Sequence, residues 1–437
     1  NDILSADRNK NADPARIIPR GRVISRKECL ERVPGIDPAG VNGGAFWTDA
    51  RMYSSERLLL AFIKTAVKEG AHAANYVAAT GLIRNNDTIQ GVKAKDVFSG
   101  DSFEISADMV INAAGAWVDG IIPENKKERV NLSTAMNLVI KREMLPETAA
   151  GIYAPFSHRL EDGSEYRGRR VLFMTPWRGY TVVGTFHRPF SGRPDEMKVT
   201  EQEVNEFLAE INSGYPRMQV KMKDVSFVNK GFLPMDGINR STGEVVLKKH
   251  YSLHDHKKEE GVEGLISVVG VKYTTARDVA AKTVNLAVKK LGKGGKRSRS
   301  AGVSLAGGDI DSFTDFKNRV LQKEPEGYPG TVLEWLARMY GTEYSAVLSR
   351  VEEESELKKT LPGSDEIIAA AVIHGIRGEM ALTLEDMVMR RTDVGSAAKP
   401  ADSTLKAIAE LMAAELGWDK KRIKSEVEEV NNRYEII

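Results

Sequence analysis

The sequence predicts a mixed α/β fold in three parts: an incomplete doubly wound domain with an inserted β-meander, an antiparallel-sheet domain, and an all-helical C-terminal domain. The apolar runs that end at Gly115 and Gly270 each predict a buried parallel strand that stops in small residues. Alternating strand patterns between them predict the antiparallel sheet. Helical patterns after residue 303 predict the last part.

The composition is typical of a globular protein with two or three domains: 437 residues, 41% hydrophobic and 28% charged. A net charge of +2 gives no reason to expect a nucleic-acid partner. The single cysteine, Cys29, excludes an internal disulfide and a cysteine-cluster metal site, and it favours a reducing compartment. No apolar run reaches the roughly 18 residues of a membrane-spanning helix. Because the chain begins at Asn1 rather than Met, we expect a fragment or a processed product.

The first part begins with two predicted helices, Ser25–Val33 and Ser54–Gly70, each opened by a serine that can cap it. HAANYVAAT (72–80) follows and suits a strand, with Val77 at a strand end. Turn signals at 85–87 and 99–101 then predict a meander that leads into VINAAGAWVD (110–119).

Residues 121–250 change character. RVLFMTPWRGYTVVGTFHRPFSG (170–192) predicts two strands joined by a turn at Trp177–Tyr180, and Thr200 with Glu203 predicts a capping box. We therefore expect an antiparallel substrate-binding cap domain here.

Residues 251–300 return to the first domain, with a buried strand at Leu265–Val269 and a helix that Thr274 and Thr275 open. The basic run 289–300 predicts a solvated linker, or less strongly an anionic membrane contact. The predicted domains are thus 1–120 with 251–300, 121–250, and 303–437.

The two strand ends carry the candidate chemistry. Ala113–Gly115 and Gly270–Lys272 place backbone amides without large side chains at the carboxyl edge of a parallel sheet, where such folds bind ligands. Lys272, Thr274 and Thr275 suit an anionic or carbonyl-rich group, such as a flavin pyrimidine edge or a phosphate. Each motif alone indicates core packing more often than a cofactor site.

Six stretches, taken in order, resemble the FAD-dependent glycerol-3-phosphate dehydrogenase family. They are GGAFWTDARMYSSERL (43–58), ANYV (74–77), VINAAGAWVD (110–119), TPWRGYTVVGT (175–185), GVKYTTARD (270–278) and MALTLEDMVMRRT (380–392). Several stretches in the right order are far more specific than one motif.

The resemblance implies an FAD cofactor and a set of contacts to it. The implied cofactor-binding residues are Val77, Ala113, Ala114, Gly115, Trp117, Gly270, Lys272, Thr274 and Thr275, and the implied catalytic residues are Lys272 and His187. The family's Gly-x-Gly-x-x-Gly loop is not found in this sequence. The resemblance implies that this loop, and part of the substrate site, precede Asn1.

Departures from the family pattern affect the substrate site. The family's Gly-Leu-Arg-Pro-Leu, whose arginine helps to bind the substrate phosphate, is Gly231–Met235 here, and we expect Phe232 to replace the arginine. Asn137 stands where the family has a histidine. Arg51, Arg178 and Arg277 are the predicted substitute cations for the phosphate.

The resemblance implies oxidation of sn-glycerol 3-phosphate to dihydroxyacetone phosphate, with quinone or oxygen as electron acceptor. It also implies a cytoplasmic enzyme with peripheral membrane contact, compatible with a homodimer. Two alternatives stay open. One is a flavin oxidase of another polyol phosphate, amine or hydroxy acid, and the other is an inactive fragment that acts only as a binding module.

Overall fold

A computed structural model describes residues 7–10, 13, 16–122, 130–145, 148–159, 163–323 and 327–437. The helices are α1 (Arg26–Arg32), α2 (Ser55–Lys68), α3 (Glu201–Gly214), α4 (His256–Glu260), α5 (Ala276–Lys290), α6 (Phe313–Gln322), α7 (Gly330–Tyr340), α8 (Tyr344–Glu353), α9 (Ala369–Glu379), α10 (Asp402–Leu416) and α11 (Lys420–Asn432). The strands are β1 (Arg22–Ser25), β2 (Gly43–Phe46), β3 (Val77–Asn85), β4 (Thr88–Asp96), β5 (Ser102–Ser106), β6 (Val110–Asn112), β7 (Asn131–Ile140), β8 (Ala150–Arg159), β9 (Glu165–Trp177), β10 (Tyr180–Phe190), β11 (Val225–Ile238), β12 (Val245–Leu247), β13 (Ser252–Asp255) and β14 (Leu265–Val269).

Helix starts follow the predicted caps. The Ser54 hydroxyl accepts a hydrogen bond from the Arg57 amide at 3.2 Å and opens α2. Thr200 and Glu203 form the predicted capping box at the start of α3. Side-chain oxygens satisfy amides that the first helical turn leaves free, so these starts are decided locally.

The largest sheet has six antiparallel strands in the order β12-β11-β7-β10-β9-β8. Helix α3 packs on one face, where Leu138, Met174, Phe207 and Ile211 are buried in one core. Alternation along β7 turns Val139 to the opposite face, where it joins the core of the C-terminal helices. The antiparallel sheet predicted for this region is confirmed.

A second sheet has three strands in the order β13-β14-β6, and it contains the parallel strand pair found among the described residues. Strands β14 and β6 pair in parallel with Leu265 opposite Val110 and Ser267 opposite Asn112. The meander β3-β4-β5 lies alongside, and Ile89 shares a small core with Val110 and Leu265. The mixed α/β class is therefore confirmed.

The C-terminal segment is helical and carries the largest core, which surrounds the buried Trp335. One element differs from the expectation of a regular helix at TLEDMVMRR, because Asp386–Arg391 forms a π-helical turn. Among the described residues, no helix combines the length and the apolar character that crossing a bilayer requires. The predicted domain boundaries stay predictions.

Candidate active site

The two small-residue strand ends lie side by side. Because β6 and β14 are parallel and in register, both chains leave the sheet at the same edge. Ala113 and Ala114 lead from β6 into a 3-10 turn at Gly115–Trp117. Gly270 and Val271 lead from β14 to Lys272 and a second 3-10 turn at Tyr273–Thr275. The structure therefore brings the two predicted strips together.

Both strips are open to a ligand. Ala113, Ala114, Gly115 and Gly270 are exposed. A Cβ placed on Gly115 or on Gly270 would meet no heavy atom of the described residues within 4 Å. Gly115 also has a φ of +58°, a left-handed conformation that favours glycine. A flat ring can approach the backbone amides of this edge closely.

A buried polar network holds the first strip in place. This network was not predicted from the sequence. The Asn112 amide donates to the Val118 carbonyl at 2.7 Å and to the Ser267 hydroxyl at 3.4 Å. Its oxygen accepts from the Ala114 amide at 3.2 Å, and His256 Nε2 lies 2.8 Å from the Ser267 hydroxyl. The sequence did contain an indication, because Asn112 is a polar residue at the end of an apolar strand. A polar residue that is buried in this way must be hydrogen-bonded.

Trp117 joins the first strip to the segment that precedes α3. Its ring is 49% exposed, and Nε1 donates to Asp195 Oδ1 at 3.0 Å. This hydrogen bond ties the end of the first strip to the turn between β10 and α3, while the strip itself stays exposed.

A cavity of about 620 Å³ lies between the β11–β12 hairpin and the second strip. Its lining includes Leu233, Thr242, Lys248, Lys249 and Lys272, with Glu244 as an acidic neighbour. The Lys248 ammonium is 3.4 Å from Asp236 Oδ1 and is half-buried. Three lysines beside an open strand edge suit an anionic ligand. Lys248 and Lys249 were not among the predicted site residues, although the basic run at 248–250 could have indicated them.

The expectation about Phe232 was wrong. Leu233 lines the cavity, whereas the Phe232 ring packs against Phe190 with centroids 4.8 Å apart. Counted from Gly231, the arginine of the family pattern is the third residue, which is Leu233. An apolar side chain therefore occupies the cavity wall where the family pattern has a cation.

His187 lies on β10, paired with Ala135 of β7 and half-buried. Its Nδ1 is buried and has no hydrogen-bond partner among the described residues. Burial, with a smaller effect of the Arg170 charge, holds the pKa of His187 below its usual value. The ring is therefore neutral near pH 7 and able to accept a proton.

The three predicted substitute cations lie apart from the cavity lining. Arg178 binds the C-terminal helical segment, donating to the Ser396 hydroxyl at 2.7 Å and to the Asp393 carbonyl at 3.3 Å. Arg277 is exposed in the first turn of α5, and Arg51 is exposed in the coil before α2. Burial lowers the pKa of Arg51, an effect that Glu143 partly offsets.

One local expectation needs correction. Val77 begins strand β3, where it pairs with Asp96, rather than ending a strand. Thr274 and Thr275 lie in a 3-10 turn that runs directly into α5, and Thr275 is the N-cap of that helix, as predicted for residues that open it. The Thr275 hydroxyl donates to the Lys272 carbonyl at 3.1 Å, which holds this turn closed.

The residues present fit part of a flavin dinucleotide. The open strips can receive a ring edge, and β6 is an outer strand whose Ile111 is 40% exposed, as expected of a sheet that can accept a further strand. The described residues contain no group of three or more His, Cys, Asp or Glu placed to hold a metal ion.

Comparisons with known proteins agree with this geometry. Residues 5–271 match the family described as FAD dependent oxidoreductase, and residues 298–423 match the family described as C-terminal domain of alpha-glycerophosphate oxidase. The chain is 25% identical to the glycerol-3-phosphate dehydrogenase of Synechocystis over 99% of its length, which covers 77% of that relative. It is 28% identical to the human mitochondrial glycerol-3-phosphate dehydrogenase over 93% of its length. It spans only 55% of that human relative.

Among solved structures, the fold is similar to glycerol-3-phosphate dehydrogenase from Bacillus halodurans, which was solved in complex with FAD. The TM-score is 0.76 at 23% identity, over 98% of this chain and 83% of that one. The chain therefore belongs to the FAD-dependent oxidoreductases, in the group that contains the FAD-dependent glycerol-3-phosphate dehydrogenases, and FAD is the cofactor of this family.

Proposed function

We propose that the protein oxidises sn-glycerol 3-phosphate to dihydroxyacetone phosphate. The observation that carries the proposal is the lysine-lined cavity that adjoins the open strand ends. The three lysines in its lining favour a phosphorylated substrate, and the adjoining edge suits a flavin ring. The glycerol-3-phosphate dehydrogenases among the relatives support the same substrate.

We assign the cofactor to the predicted contact residues. The backbones of Ala113–Gly115 and Gly270 would hold the ring edge, with Trp117 and the turn at Tyr273–Thr275 beside it. Val77 would lie at the adenine end. When bound, FAD would supply the acceptor for two electrons from the substrate carbon.

Lys248, Lys249 and Lys272 would bind the substrate phosphate. They take the place of the arginine that Leu233 replaces, but as point charges rather than as a planar bidentate donor. We therefore assign no direct phosphate contact to Arg51, Arg178 or Arg277. Arg51 and Arg277 are nevertheless exposed and able to attract an anion to the site.

His187 is our candidate for the proton acceptor. Oxidation of a secondary alcohol releases the C2 hydrogen with its electron pair and the hydroxyl proton separately. The neutral imidazole of His187, which is only half-buried, can take that proton. Exchange of His187 for Gln should lower kcat and remove the acidic limb of the pH profile, whereas an unchanged profile would dismiss this assignment.

The assay of the main proposal uses the purified protein with added FAD. Bound flavin should absorb in the visible and lose that absorbance when glycerol 3-phosphate is added without oxygen. Lys248→Met should raise KM about 10-fold or more, because a hydrogen bond to a charged group is lost. Lys406→Met, on the exposed surface of α10, is the matched control and should leave KM unchanged. Equal KM values in the two variants would refute the phosphate assignment.

We further propose a quinone as electron acceptor, peripheral membrane contact and a homodimer. The exposed basic segment at 292–300 supports the membrane contact, because it can approach an anionic lipid surface. Reoxidation of the reduced enzyme by a soluble quinone faster than by oxygen would support the quinone as acceptor. Sedimentation with anionic vesicles tests the membrane contact, and light scattering tests the homodimer.

The apolar Leu233 favours a second candidate, a flavin oxidase of another polyol phosphate, amine or hydroxy acid. A substrate panel separates the two, since another compound would then bleach the flavin faster than glycerol 3-phosphate does. A colourless protein that takes up no FAD would instead favour a binding module.

A further inference from the structure

A hydrogen-bonded contact from the C-terminal helical segment reaches the start of strand β3. The Tyr76 hydroxyl donates to Asp386 Oδ2 at 2.7 Å and lies 3.0 Å from the Thr383 hydroxyl. The preceding Asn75 donates from its side-chain amide to the Met380 carbonyl at 2.8 Å. Two consecutive residues are thus held by a segment about three hundred positions away.

The accepting side is built for this contact. Asp386 is 4% exposed, and its Oδ2 also accepts from the amides of Leu382 and Thr383 at 3.1 and 3.2 Å. The Asp386 amide in turn donates to the Thr383 hydroxyl at 3.1 Å. These reciprocal bonds fix the carboxylate before Tyr76 reaches it, so the tyrosine meets a rigid acceptor.

The donating side is held in an uncommon backbone conformation. Tyr76 has a φ of +58°, which costs free energy in a residue other than glycine unless its surroundings impose it. Its ring packs on Phe98 with centroids 4.6 Å apart, and its carbonyl accepts from the Val97 amide at 2.9 Å. Burial raises the pKa of Tyr76 to about 12, so the hydroxyl keeps its proton and donates.

Val77 follows Tyr76 directly and begins β3. The conformation at Tyr76 therefore sets the direction in which the Val77 backbone leaves the connection from α2. Under the proposed function, this backbone meets the adenine end of the cofactor.

We propose that Asp386 and Tyr76 are positioning residues for FAD: the C-terminal helical segment holds the β3 start in its cofactor-binding conformation. This inference rests on the proposed function for the cofactor contact at Val77. It gives the LTLEDMVMRR segment a role beyond helix packing, namely control of cofactor affinity at a distance.

The test compares Tyr76→Phe with Tyr434→Phe in the full chain. Both exchanges remove one phenolic hydroxyl from a packed ring, and the Tyr434 hydroxyl donates to the Gly395 carbonyl at 2.7 Å within the C-terminal segment. The dissociation constant of FAD is measured by fluorescence quenching, with Tm measured in parallel without FAD.

Tyr76→Phe should weaken FAD binding about 10-fold or more, because it removes a hydrogen bond to a charged acceptor. Tyr434→Phe should lower Tm as well, because it also removes a hydrogen bond, but it should change FAD affinity less than about twofold. Hydrogen exchange at residues 77–80 without FAD should quicken in Tyr76→Phe alone. Asp386→Asn should weaken FAD binding as Tyr76→Phe does.

Equal FAD affinity in wild type and Tyr76→Phe would overturn the proposal, as would equal effects of the two tyrosine variants. A wild type that binds no FAD would also overturn it. Bound FAD without turnover of glycerol 3-phosphate would count against the proposed function alone, since the ratio of FAD affinities would still decide the role of Tyr76.

Discussion

The buried carboxyl of Asp393 provides a stability prediction whose size follows from the structure. Its side chain is 1% exposed, and Arg178 Nη1 lies 3.8 Å from Oδ2. Burial raises its pKa from 3.8 to about 6, an effect that Ser54, Arg178 and Arg57 reduce and Glu56 increases. The ionised form is therefore disfavoured in the folded state.

The pH dependence follows from this direction. Well below pH 4 the carboxyl is protonated in both states, so the stabilities of wild type and Asp393→Asn should converge. Between about pH 4 and 6 the unfolded chain ionises first, and the wild type loses stability as the pH rises. Above pH 6 the folded state bears the full free-energy cost of ionising the buried carboxyl. A difference of about two pH units corresponds to about 3 kcal/mol.

Exchange of Asp393 for Asn should therefore raise stability at pH 8 by about 1–3 kcal/mol. The range starts below that value, because an asparagine amide does not pack identically to a protonated carboxyl. Arg178 keeps its bond to the Ser396 hydroxyl. The gain at pH 5 should be roughly half as large.

Thermal unfolding at pH 5 and pH 8 measures the effect, at roughly 2–4 °C for each kcal/mol. The control is Asp365→Asn, because Asp365 is exposed, and it should change Tm by less than a degree or so. A variant of Asp393 that is no more stable than wild type at pH 8, or a gain independent of pH, would refute the reasoning.

Two further predictions concern buried contacts of the C-terminal segment. Glu379→Gln should destabilise the protein by about 3–5 kcal/mol in urea unfolding, because the fully buried Glu379 neutralises Arg57 at 2.6 Å and the exchange leaves that guanidinium unpaired. A loss below about 1 kcal/mol would contradict this view. Gly341→Ala should lower Tm far more than Gly417→Ala, although both glycines have positive φ. A Cβ at Gly341 would lie 1.9 Å from the Gly307 oxygen, whereas one at Gly417 would meet nothing within 4 Å. Similar Tm losses in the two variants would contradict the close backbone approach.

Local patterns predicted much of the fold because their physical causes are local. The serine before α2 and the Thr200–Glu203 pair cap their helices through atoms within one turn. The strand Leu265–Val269 was bounded by an apolar run and a glycine, and the structure gives the same limits. The π-helical turn at Asp386–Arg391 escaped prediction because tertiary bonds to Asp386, such as that from Tyr76, lie outside the local sequence.

The candidate site divides in the same way. The two small-residue strips could be predicted from the sequence, because a strand end and its small side chains lie in consecutive residues. Their contact could not be predicted, because it depends on a parallel register that places Asn112 beside Ser267, 155 positions apart. It also decided that Leu233 and Lys248 face the cavity while Phe232 packs elsewhere. The face of a strand that lines a cavity depends on pairing between distant segments, and no single stretch of sequence carries that information.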